Sequence, residues 1–241
     1  MTEPGEGSDR GLMRFENRRD AGCMLAARLG RLDLSDPLIL ALPRGGVPVA
    51  YEVAVALDAP LDVFVARKIG APGHEELGIA AIAEGLDEPV VTPMVDQLGL
   101  SASDLEMLAA RERETLSRRV SRYRDGRPLP GLEDRDVVLV DDGLATGITA
   151  EAALQALRQR RPRRLVLAEP VCAVDTARRL GRIADEIVCL FAPDIMWAVG
   201  MWYQDFTQTT DREVIQLLED ASASINGAGA LSQPGEAALG S

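Results

Sequence analysis

The run VVLVDDGLATGIT, from Val137 to Thr149, constrains the fold of this chain more than any other stretch. Four aliphatic residues lead into two adjacent aspartates, and a loop of small residues then closes on a threonine. An uninterrupted apolar run marks a strand covered on both faces, as in a parallel sheet flanked by helices. Two neighbouring carboxylates at its end repel each other and lose hydration unless a ligand or cation offsets them. On a parallel strand they stand at the carboxyl end, where open α/β sheets bind ligands. Thr146 to Thr149 fall where the loop turns into a helix, and the backbone N–H groups and dipole there favour a phosphate. A ligand with a phosphate on one side and hydroxyls or a cation on the other meets these demands, and a sugar phosphate is one.

The remainder of the chain supplies matching elements. The spacing predicts a helix within FENRRDAGCMLAARLGRL, a buried strand at LILAL (38–42) and a helix at VPVAYEVAVALD. A second strand is expected at LDVFVAR (61–67), and another, GIAAIAE, inside a glycine-rich segment from Gly70 to Gly85. Ser101 to Arg124 reads as a long amphipathic helix, with Ser101 and Asp104 as a capping box and Leu105, Leu108, Leu116 and Val120 on one face. After the acidic pair come a helix to about Gln159, the strand RLVLAEPV, the helix AVDTARRLG and the strand EIVCL. The fold class is α/β: a mainly parallel central sheet with helices on both faces and a small C-terminal aromatic hood. One domain is expected over 14–220, with disordered segments at 1–13 and 221–241, which are rich in small and polar residues.

Charge narrows the function. The net charge of -12 argues against nucleic acid, whose backbone requires a basic face. No stretch of about 18 apolar residues suggests a membrane span, and no apolar run marks a signal peptide. Cys23, Cys172 and Cys189 fit neither a zinc site nor a redox pair, and read as reduced, mostly buried thiols in a cytoplasmic protein. Three other origins of the acidic run are weighed. Receiver domains carry such a pair on their first strand with a lysine far downstream, whereas Lys68, the sole lysine, lies upstream. A Walker loop needs Gly-Lys-Ser/Thr, which is absent. A solvated surface turn sits poorly with an immediate helix start.

Val137–Thr149 resembles the thirteen-residue signature of type I phosphoribosyltransferases. The resemblance implies that Asp141 and Asp142 hold the 2′- and 3′-hydroxyls of phosphoribosyl pyrophosphate, and that Ala145, Thr146, Gly147, Ile148 and Thr149 wrap its 5′-phosphate. LPRGG, with Arg44, Gly45 and Gly46, resembles the family's pyrophosphate loop, where an unusual peptide conformation is typical. ARKIGAPG, with Arg67 and Lys68, is similar to the Arg-Lys segment of adenine and orotate enzymes. The three segments follow one another in the family's order between Leu38 and Pro170. Other features depart from the named classes: Ala145 stands where hypoxanthine-guanine enzymes have an aspartate, the Tyr-Glu loop of adenine enzymes is missing from 70–85, and so is the second loop lysine of orotate enzymes. The string, with WAVGMWYQDF near its end, looks more like a bacterial phosphoribosyltransferase-like branch.

The implied activity is transfer of phosphoribose to a nitrogen acceptor in nucleotide metabolism, a glycosyl transfer, with Mg²⁺ delivered on the substrate pyrophosphate and no metal site of the protein's own. A non-catalytic sensor of phosphoribosyl pyrophosphate or a nucleotide is the alternative. Lys68 and His74 are the catalytic candidates, His74 on a lid over 70–78. Nine residues are aromatic, and five of them lie between 191 and 206, so Trp197 and Trp202 are candidates for stacking an acceptor base, or else pack over the core. The expected partners are the two small-molecule substrates, with a homodimer left open.

Overall fold

The computed structural model describes residues 14–230. The expected N-terminal disordered segment, 1–13, lies outside the described residues, as do residues 231–241.

The elements run α1 (Arg18–Leu29), β1 (Leu38–Ala41), α2 (Gly46–Leu57), β2 (Leu61–Val63), β3 (Ala66–Ala71), β4 (His74–Ala83), β5 (Val90–Val91), α3 (Met94–Gln97) and α4 (Ala102–Arg124). Then follow β6 (Asp136–Val140), α5 (Ile148–Gln159), β7 (Arg164–Val171), α6 (Val174–Leu180), β8 (Glu186–Phe191) and α7 (Asp211–Ala230). Five strands form one wholly parallel sheet in the order β2-β1-β6-β7-β8.

Alternation along each strand divides the core. Ile39, Ala41, Val138, Val140, Val166 and Ala168 face one layer with α1, α2 and α7. Leu38, Leu40, Val137, Leu139, Leu165 and Leu167 face the other, with α5 and α6. Burial of such a side chain contributes about 1.5–3 kcal/mol, which is why the apolar runs appear in the centre of the sheet. Asn17 caps α1 through its side-chain oxygen. Ser101 and Asp104 form the expected capping box of α4.

The expected strand 61–67 is two strands. The chain leaves the parallel sheet after Val63, buries Phe64 and Val65, and enters a separate antiparallel sheet, β3-β4-β5. The expected lid at 70–78 is therefore the end of the β3–β4 hairpin, with register shifts beside Gly70. The tail expected from 221 begins inside α7, because Val214, Leu218 and Ala221 recur at helical spacing and are buried. The thiols also differ from expectation. Parallel pairing of β7 with β8 brings Cys172 and Cys189 to a Cα separation of 6.2 Å, within disulfide range, and they are joined. Cys23 is exposed on α1.

Candidate active site

At the carboxyl edge of the parallel sheet the β1–α2 loop meets the end of β6. Its Pro43–Arg44 peptide is cis, and Gly45 and Gly46 open α2. A Cβ on Gly45 would collide with Asp142 Oδ2, and one on Gly46 would lie 2.7 Å from the Val140 carbonyl oxygen and 2.9 Å from Asp141 Cα. Only glycine allows this approach, so the Arg44–Gly46 loop and the acidic pair lie in contact.

The phosphate-type loop is fixed from below. Leu144 donates its N–H to the Val171 carbonyl at 2.7 Å, and its own carbonyl accepts from Ala173 N–H at 2.8 Å. The Thr176 hydroxyl donates to the Ala145 carbonyl at 2.7 Å, and Arg179 donates to the Thr146 carbonyl at 2.7 Å. Gly147 caps α5 with φ of 69°, and a Cβ there would collide with Thr176 Cγ2. Thr146 is exposed and Thr149 half-buried at the helix N-terminus, while Ile148 is buried. The helix then presents its first N–H groups to an anion.

Electrostatics separate the two aspartates. Arg18, at the start of α1, places Nε and Nη2 each 2.8 Å from Asp142 Oδ2. The same guanidinium donates to the Thr207 carbonyl and lies 3.9 Å over the Phe206 ring. Burial raises the Asp142 carboxyl while the Arg18 charge pulls it back. Asp141 has a weaker claim on that cation. Burial and then the Asp142 charge push it well above the carboxylate range. The Tyr203 hydroxyl donates to the Asp142 carbonyl at 2.6 Å and is itself held above the usual phenol range, first by burial and then by the Asp142 charge.

Glu169 is the least expected member. Val140 pairs with Ala168, so the next residues along the two chains are Asp141, just past β6, and Glu169, inside β7 near its end at Val171. Glu169 is fully buried, and neither carboxyl oxygen has a hydrogen-bond partner among the described residues. Burial, then the charges of Asp141 and Asp142, push it well above the carboxylate range. One signal for it stood in the sequence: a lone charge inside the apolar run RLVLAEPV. Arg18 gave none, as one arginine among many at a helix start.

The other predicted residues divide. Arg67 and Lys68 are neighbours on β3, and their side chains leave on opposite faces. Arg67 pairs with Glu112 of α4 at 2.6 Å. Lys68 lies across Gly78 toward Ile148 and donates to the Glu76 carbonyl at 2.8 Å. A cavity of about 570 Å³ lies between the hairpin and α4, with Arg67 and Glu112 on its α4 side and the Lys68 stretch of β3 along its edge. His74 is exposed at the hairpin end. Trp202 stacks on Phe191, with centroids 6.2 Å apart, inside a cluster that includes Phe15 and Tyr203. Trp197 is 83% exposed, so the two indoles do not form one wall.

The arrangement offers carboxylate acceptors for hydroxyls, a helix N-terminus for a phosphate and arginines for a second anion. Comparison with known proteins identifies the family. The Phosphoribosyl transferase domain model matches residues 19–205. A Mycobacterium tuberculosis H37Rv protein named "Putative phosphoribosyl transferase Rv0571c" is 43% identical over 217 residues, which cover 90% of this chain and 49% of that protein. The chain thus spans about half the length of the curated relatives it matches. The crystal structure of TT1426 from Thermus thermophilus superposes with a TM-score of 0.72 at 47% identity, covering 86% of this chain and 99% of that one. A match over most of the chain, on the elements that build the site, makes this protein a member of the phosphoribosyl transferase domain family.

Proposed function

We propose that this domain transfers the 5-phosphoribosyl group from phosphoribosyl pyrophosphate to a ring nitrogen of a nucleobase-like acceptor. The observation that carries the reading is the close approach of Gly45 and Gly46 to Asp141 and Asp142, next to the Gly147 helix start. Asp141 and Asp142 accept from the ribose hydroxyls. The 145–149 loop receives the 5′-phosphate. Arg44 and Lys68 face the pyrophosphate, Lys68 as a point charge.

In the step, the bond between C1 of the ribose and the pyrophosphate oxygen breaks, and the oxygen keeps the electron pair. The acceptor nitrogen forms the new bond to C1 and gives up its proton to solvent or to the departing pyrophosphate. Positive charge gathers on the sugar ring in the transition state, where carboxylates are favourable neighbours. Mg²⁺ enters as part of the substrate. Three carboxyls, Asp141, Asp142 and Glu169, stand against the single Arg18 guanidinium, and a cation carried in on the ligand would favour the ionised forms that burial and crowding disfavour. When bound, the ion neutralises the leaving group.

The test is pyrophosphate release from phosphoribosyl pyrophosphate and Mg²⁺ across purines, pyrimidines and related ring amines. Acceptor-dependent release supports transfer. Tight binding of phosphoribosyl pyrophosphate with no release for any acceptor would replace the enzyme by the sensor.

A further inference from the structure

The α4 helix carries an arginine for which no motif accounts. Glu112, Arg119 and Tyr123 lie at i, i+7 and i+11, one stripe of the helix. Both ends of the stripe are engaged. Glu112 accepts from Arg67 of β3 at 2.6 and 2.8 Å. The Tyr123 hydroxyl donates to Asp211 Oδ1 at 2.7 Å, and Arg44 Nη1 lies 3.7 Å from the same oxygen. Between them stands Arg119, half-buried, whose side chain has no ion pair or hydrogen bond among the described residues.

The charge here is in surplus. Arg44, Arg67, Arg119 and Arg122 face two carboxylates, Glu112 and Asp211, and Asp211 already holds Arg122 at 2.8 Å. Burial, then the Arg67 charge and more weakly that of Arg44, lower the affinity of Arg119 for its proton. Guanidinium groups crowded and only partly neutralised, in a chain of net charge -12, call for an anion of more than one charge. Arg44 belongs to the loop that also touches Asp142 through Gly45. That loop therefore borders the guanidinium cluster on one side and the acidic pair on the other.

We propose that Arg119 is a diphosphate-binding residue: α4 supplies it to join Arg44 and Arg67 around the pyrophosphate of the substrate. The proposal rests on the phosphoribosyl reading of the site, and adds α4, an element outside the signature segments, to its binding surface. A diphosphate spans two phosphoryl groups, which suits guanidinium groups arriving from three separate elements.

The test measures binding of inorganic pyrophosphate and of ribose 5-phosphate to the full chain by calorimetry, for wild type, Arg119→Gln and Arg119→Lys, with a melting curve for each. Arg119→Gln is expected to weaken pyrophosphate about tenfold or more and to leave ribose 5-phosphate within twofold. Its melting temperature should hold or rise, since a repelled cation is removed. Arg119→Lys should recover part of the pyrophosphate affinity. Unchanged pyrophosphate affinity in Arg119→Gln overturns the role of Arg119 while the site reading stands, because wild type still binds both ligands. A lower melting temperature with both affinities lost would assign Arg119 to packing and overturn it too. Wild type that binds neither ligand removes the site reading and the proposal together.

Discussion

Two groups of largely buried carboxyls differ in one respect, how far a cation compensates them. In the first, Glu84 and Asp62 surround Arg124, which is 2% exposed. Arg124 donates to both Glu84 oxygens at 2.6 Å, to Asp62 at 3.2 Å and to the Val63 carbonyl. In the second, Asp141, Asp142 and Glu169 share Arg18, which reaches Asp142 alone. The first group closes on itself and ties α4 to the point where the chain passes from the parallel to the antiparallel sheet. The second leaves acceptors unsatisfied at the carboxyl edge of the sheet. The same chemistry, buried acid, is structural where the hydrogen bonds close and available to a ligand where they do not.

The largest effect should come from opening the closed group. Arg124→Met leaves Glu84 and Asp62 buried without a counter-charge. Breaking such a pair from one side costs about 3–5 kcal/mol. Urea unfolding of wild type and variant measures it, and a loss below about 1 kcal/mol would mean that water or a rotamer change replaces Arg124. Next comes the open group. Asp141→Asn with Asp142→Asn should weaken ribose 5-phosphate at least about a hundredfold, two charged hydrogen bonds being lost. Stability should change little, because relief of two crowded carboxyls offsets the loss of the Arg18–Asp142 ion pair. Titration calorimetry and melting curves check both halves. Lost stability with retained affinity would make the pair structural, like Glu84.

The contrast also explains what was legible in the sequence. The acidic pair, the Gly147 loop and the capping box of α4 are local: each is set by residues within a few positions, so their pattern survives in one dimension. Arg18 meets Asp142 across 124 positions, and Arg124 meets Glu84 across 40. No periodicity encodes such partners. The break between β2 and β3 was hidden because Phe64 and Val65 are as apolar as the strands they separate. Cys172 and Cys189 are neighbours only through the register of β7 and β8. Ala221 is small and sits before a run of small residues, so a helix there shows mainly in its contact with the core. The fold class and the floor of the site could be read; the counter-charges, which decide what the site can hold, are long-range.

The smallest effect is the most diagnostic, and it concerns Glu169. In the unfolded chain this carboxyl titrates near pH 4.3. In the folded protein burial, then Asp141 and Asp142, raise it well above that. Below about pH 4 both states carry the proton, and Glu169 adds no pH dependence. As pH rises, the unfolded chain releases its proton first while the folded protein retains it. The folded state then binds more protons, and stability falls with pH until the folded carboxyl ionises. Glu169→Gln removes this slope. The variant should match wild type within about 0.5 kcal/mol at pH 4 and exceed it by about 1–3 kcal/mol at pH 7.5. Paired denaturation curves at the two pH values isolate the difference from every other titration. In the Asp141→Asn, Asp142→Asn background the gain should shrink, because part of the shift comes from those charges. An equal difference at both pH values would show that Glu169 has a partner after all. The third carboxyl would then be closed like Glu84, and the acidic end of the site would lose the one carboxyl left open for a cation on the ligand to ionise.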